Sequence, residues 1–154
     1  MILTLFRATS LLLLLPTLVW GAIGEVTDHS GSGAIERDDG FEILEVEDEL
    51  GVESMDVVVT EKGKVRIDFV DETRVDITEH SRLVIDDFVY DPSSGEGSLS
   101  LKAGLGTIRY ASGLIAKNSR QRVKITTPSA VVGVRGTDFA MIVDEIGGSM
   151  ITLL

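Results

Sequence analysis

The sequence predicts an all-β domain, either sandwich-like or a short-stranded, β-solenoid-like stack. Three observations carry that class. From Phe41 onward, apolar and polar residues alternate in short runs, as in Lys64-Val65-Arg66-Ile67-Asp68-Phe69, and period two marks a half-buried strand. Turn-forming residues separate the runs at a spacing of about 8–12 residues, which suits a sandwich, barrel or solenoid. Helical spacing is scarce: it shows only within Glu42–Asp56, through Ile43, Leu44, Glu47 and Leu50, and allows a single helical turn at most.

Along the chain, residues 1–24 stand apart. Arg7 is followed by Leu11–Leu15, Pro16, Val19 and Trp20, then by Gly21, Ala22 and Gly24. That is the charged, apolar, small-residue order of a secretory signal peptide. Cleavage is expected after Ala22-Ile23-Gly24, in preference to Val19-Trp20-Gly21. The apolar core from Ser10 to Trp20 is short against the roughly 20 residues of a membrane span, so an uncleaved anchor is the second reading. Residues 25–32 are polar and glycine-rich and read as a flexible lead-in. One β-domain is expected over residues 33–154, with a first strand near Ala34-Ile35.

The expected inward positions are Val65, Ile67 and Phe69; Val75 and Ile77; Leu83 and Ile85; Phe88 and Tyr90; Leu99 and Leu101; Ile108 and Tyr110; Val123 and Ile125. Turns are expected at Glu61-Lys62-Gly63, Asp71-Glu72, Asp91–Gly95, Gly104 and Gly106, and Lys117-Asn118-Ser119. Met150 to Leu154 reads as an exposed edge strand, an aggregation risk or a place to pair with another chain. No strict internal repeat or calcium-binding nonapeptide is present.

The chain carries 25 acidic and 14 basic residues, a net charge of −11. Loss of the leader would remove Arg7 and no acid. Such a chain repels nucleic acid and anionic lipid, so neither is an expected partner, and membrane contact is expected only through an uncleaved leader. There is no cysteine, which excludes disulfides and thiol chemistry. His29 and His80 stand in no nucleophile or metal-ligand spacing, so neither enzymatic activity nor a cofactor is expected. The best metal candidate is the oxygen set Asp86, Asp87, Asp91 and Glu96, of the kind calcium takes. It lacks the EF-hand order, and if the segment is a strand Asp86 and Asp87 lie on opposite faces, so an ordinary acidic turn is preferred.

The most specific stretch is Thr127 to Phe139, "TPSAVVGVRGTDF". Pro128 suits the start or edge of a strand. Val132 and Val134 share one strand face; Phe139, Met141 and Val143 share another. The odd gap from Val134 to Phe139 would put these groups on opposite sides of an unbroken strand. Either both faces are buried or the chain bends, with Gly136 at positive φ. Arg135 would then pair with a carboxylate such as Asp138, Asp144 or Asp71. Phosphate binding is the weaker reading, because the stretch lacks the lysine and the strand-to-helix setting of a phosphate loop.

Three pieces of the chain, Gly63–Pro92, Leu99–Gly113 and Val123–Glu145, resemble the FecR domain family. The match is most specific at Thr127 and Pro128, followed by Gly133, Val134, Arg135, Gly136, Thr137 and Phe139. The resemblance implies an exported all-β domain with a β-solenoid-like core. The best-known members relay a ferric-siderophore receptor signal to a cytoplasmic sigma factor, through a cytoplasmic segment that precedes a transmembrane helix. Here an apolar leader precedes the domain. The expected role is therefore a non-catalytic periplasmic or secreted domain, at the cell or virion surface, that binds or scaffolds protein. The alternative is a membrane-anchored regulator of sigma-factor signalling or iron uptake.

Overall fold

The computed structural model describes residues 21–37, 40, 42–119 and 121–154. The leader up to Trp20 thus lies outside the described residues. Among them, thirteen strands and one short helix follow in order: β1 (Gly24–Ser30), β2 (Gly33–Arg37), β3 (Glu42–Glu45), β4 (Gly51–Val52), β5 (Val57–Thr60), β6 (Lys64–Phe69), β7 (Arg74–Ile77), β8 (Arg82–Asp91), β9 (Glu96–Ala111), α1 (Leu114–Asn118), β10 (Val123–Thr126), β11 (Val131–Val134), β12 (Phe139–Val143) and β13 (Ser149–Leu153).

The strands form two layers that share β9. One layer runs β3-β2-β5-β8-β9-β10-β11 and the other β4-β1-β6-β7-β9-β12-β13. The first part of β9, Glu96–Leu105, pairs with β8. Its remainder, from Gly106, pairs with β7 and β12. Two glycines let one strand change layers. The ladder to β8 shifts register between Arg82 and Leu83, opposite Gly104. Gly106 has φ +89°, and a Cβ there would lie 2.0 Å from Ser81 Oγ. Only glycine fits such a position.

Each level of the molecule therefore holds one strand from each layer: β6 with β5, β7 with β8, β12 with β10, β13 with β11. We call these levels rungs. The two expected architectures merge, a sandwich in cross-section and a stack along its length. Pairing is antiparallel throughout except between β9 and β10. The inward residues of the alternating runs fill one core between the layers. All those expected are buried except Tyr90, which is half-buried. Phe69 and Phe88, from opposite layers, stack with ring centroids 5.4 Å apart.

Four local expectations are corrected. The flexible lead-in at 25–32 is largely strand: β1 pairs with β4 and β6, so the domain begins before residue 33. A bulge between Val26 and Asp28 breaks the alternation that would have revealed it. Ile23 already bonds the sheet, donating to the Val52 carbonyl at 2.9 Å and accepting from the Val70 N–H at 3.0 Å. Cleavage after Gly24 would remove both bonds. The helical turn near Ile43 is instead β3, because Leu44 sits opposite Ile35 on the core side. The turn at Lys117-Asn118-Ser119 is the end of α1 and its C-cap. Finally, Asp86 and Asp87 do not face opposite ways, because a register shift between Ile85 and Asp87 turns both outward.

Candidate functional site

The Thr127–Phe139 stretch carries the chain from one layer to the other at the terminal rung. Thr127 to Ala130 is the β10–β11 hairpin turn, closed by Thr127 N–H donating to Ala130 O at 2.8 Å and Ala130 N–H donating to Thr127 Oγ1 at 3.0 Å. Pro128 occupies the second turn position, where its fixed φ suits the geometry. Val134 is buried in one layer and Phe139 in the other, so the odd gap between them is resolved by a bend. Gly136 makes it, at φ +68°. Thr137 and Asp138 then clamp the end of β9. The Ser112 hydroxyl donates to Thr137 O at 3.0 Å, and Ser112 N–H donates to Asp138 Oδ1 at 2.8 Å. Phe139 stacks on Tyr110 at 5.3 Å between centroids. Gly133 has open space around it and no steric need to be glycine.

Arg135 does not make the expected pair. It is exposed and forms no ion pair among the described residues. Its three expected partners are engaged elsewhere. Asp71 is fully buried, accepting from Thr73 N–H, Thr73 Oγ1–H and Ile115 N–H. Asp138 holds Ser112, and Asp144 accepts from Ile146 and Gly148 N–H within its own hairpin. The buried fork occurs instead at Arg37, which donates through Nε and an Nη to the two oxygens of fully buried Asp56 at 2.8 and 2.7 Å. Tyr110 beside the bend is also fully buried. Burial pushes its hydroxyl up to about 12, and the hydroxyl makes no well-formed hydrogen bond.

The four metal candidates are spread along the β8–β9 hairpin, and the three aspartates already have side-chain partners. Asp86 pairs with Lys102 and accepts from Ser100, which together hold its carboxyl below the usual range. Asp87 accepts from Ser98. Asp91 closes the turn by accepting from Ser93 and Ser94, and Glu96 lies opposite it across the hairpin. Among the described residues no group of three or more His, Asp or Glu is placed to hold a metal ion.

What the stretch frames is an opening in the core. Beyond it, β11 pairs only with β10 and β13 only with β12 among the described residues. On β13, Ile151 and Leu153 stand opposite Met141 and Phe139, both buried, so they belong to the inner face. Yet they are 40% and 71% exposed. On β11, Val132 stands opposite buried Ile125 and is only half-buried. The start of β13 is tied to the β10–β11 turn: Ser149 Oγ donates to Thr127 Oγ1 at 2.7 Å. The opposite end of the stack is closed. Val46 and Leu50, from the β3–β4 connection, pack against the core there, and Val52 is fully buried. Sequence reading found the edge at Met150–Leu154. It missed that Val132, Ile151 and Leu153 form one apolar opening, because the pairing of distant hairpins decides that.

Comparison with curated proteins gives no match, and comparison with solved structures gives none. A family model described as FecR protein matches residues 55–154. The match starts after β4 and takes in β5 to β13, α1, the Thr127–Phe139 crossing and the open rung. It covers the larger part of the sequence, and the chain belongs to the FecR protein family.

Proposed function

We propose that this chain is an exported, non-catalytic β-domain that works by binding protein through its open rung. One observation carries the reading: inward-facing apolar residues of β11 and β13 lie uncovered at one end, while the other end is capped by Val46 and Leu50. Uncovered strand edges bind extended protein segments through their free backbone groups. Export rests on the order of Arg7, Leu11–Leu15 and the small residues that follow. Because Ile23 bonds to Val52 and Val70, we place the cut after Gly21. Intact-mass analysis of protein recovered from the periplasm or medium should give a chain starting at Ala22. A chain starting at Glu25 would refute that position, and an uncut chain in the membrane would refute cleavage.

A photo-reactive residue at Leu153, tested in the producing cell, should form protein adducts that the same residue at Val70 does not. Absence of adducts at Leu153 would defeat the binding reading. Membership of the FecR family favours a second reading, a membrane-anchored regulator in sigma-factor signalling. It requires the uncut chain to resist carbonate extraction from membranes.

A further inference from the structure

We infer that the occupant of the open rung is a second copy of this chain, joined edge to edge about a two-fold axis through β13 and β11. This rests on the binding role proposed for the rung and names the partner. Charge selects it. The chain carries a net charge of −11, so two copies repel unless they meet where carboxylates are absent. Val131–Val134 and Ser149–Leu153 contain no charged residue. The opposite end of the stack presents Glu42 and Glu45 on the edge strand β3 and only two residues on β4. Joining the open rung of one copy to that end of another would set carboxylates against an uncharged apolar edge, where desolvating them is costly. Open rung against open rung has no such cost.

The geometry is self-complementary. Antiparallel pairing of β13 with its own copy, centred on Ile151, sets Ser149 opposite Leu153 and Met150 opposite Thr152. Ile151 then meets Ile151, and inner face continues into inner face. Both layers extend across the axis, and the exposed ends of the two cores cover each other. A symmetric contact of this kind closes after two copies, with no edge left to propagate.

The absence of cysteine makes the test direct. The chain, as its producing cells process it, is given a single cysteine by Ile151→Cys and mildly oxidised. A residue on the axis should cross-link to itself, several-fold faster than Val70→Cys on another face. Sedimentation of the unmodified chain should give a dimer, and Leu153→Glu a folded monomer whose melt no longer depends on protein concentration. If Leu153→Glu does not fold, Ile151→Lys sets two cations directly opposite each other on the axis and supplies the disruption. A monomer at every concentration, assemblies larger than a dimer, or equal cross-linking at positions 151 and 70 would overturn the inference. Adducts of Leu153 with a different protein, combined with a monomer, would overturn the second copy and leave the binding role standing. No adduct of any kind would remove both.

Discussion

Asp56 shows how one side chain can be fixed by groups far from it in sequence. It takes two hydrogen bonds from Arg37 and one from Glu53 N–H at 2.8 Å, and Arg37 also reaches Gly51 O at 3.1 Å. Removing one partner of a buried pair leaves the other charge uncompensated, at a cost of about 3–5 kcal/mol. Arg37→Ala should therefore lower the unfolding free energy by that amount, read as a lower denaturant midpoint at unchanged m, and Arg37→Lys should recover only part, since lysine cannot form the planar fork. Arg135→Ala should change stability by less than about 0.5 kcal/mol, as exposed unpaired side chains do. Coincident melts for Arg37→Ala and the parent chain would contradict this assignment. Both arginines lie near glycines and acids in sequence. What separates them is which carboxylate the fold buries, and that depends on β2 lying against β5, which no local pattern announces.

The half-buried carboxylates Asp68 and Asp86 give a pH dependence. Arg74, donating to both oxygens of Asp68 at 2.6 and 3.2 Å, and Lys102 beside Asp86 hold these acids below their usual range. Their contribution is full above the unfolded carboxylate value of about 4 and is lost as pH falls through the lower folded values. Melting temperature should be insensitive to these groups from neutral pH to about 5 and should fall below about 4. Arg74→Gln should flatten the acid limb. An unchanged limb would mean that the pair contributes nothing.

Among the elements, β9 and the Val134–Phe139 crossing depend on glycine in different ways. At Gly106 an added Cβ meets Ser81 Oγ at 2.0 Å, while at Gly136 the nearest atom would be 3.8 Å away. Gly136→Val should cost about 1–3 kcal/mol, the strain of a left-handed β-branched residue. Gly106→Val should cost more or abolish folding, because the layer change has no room. Equal effects at the two sites would show that Ser81 moves aside freely. The strands and their inward faces were legible because period two persists in most runs. Where it slipped, the sequence carried a trace: Ile85 and Phe88 are three apart and both buried, so a bulge had to lie between them. The helix α1 left none. Its first turn is held by Asp71, which bonds Ile115 N–H from 44 residues away, and Gly113 offers no side-chain cap.

At the scale of the whole molecule, chain order and rung order largely coincide, with β5 to β8 in the middle and β10 to β13 at the open end. Long-range contact is thereby confined mostly to neighbouring rungs, as in repeat proteins. The open end was legible only as a single strand, Met150–Leu154. That β11 accompanies it follows from two separate hairpins leaving β9 in opposite layers, a property of topology and not of composition.

Because β9 belongs to both layers, the sandwich cannot come apart face from face without breaking a continuous strand. Loss of structure must instead fray inward from an end. Amide hydrogen exchange should show this as a gradient, with β11 and β13 trading protons soonest and the centre of β9 last, close to the global opening limit. If two copies cover each other's terminal rung, protection of β13 should rise with protein concentration, and that of β9 should rise too, because global opening then requires the copies to part.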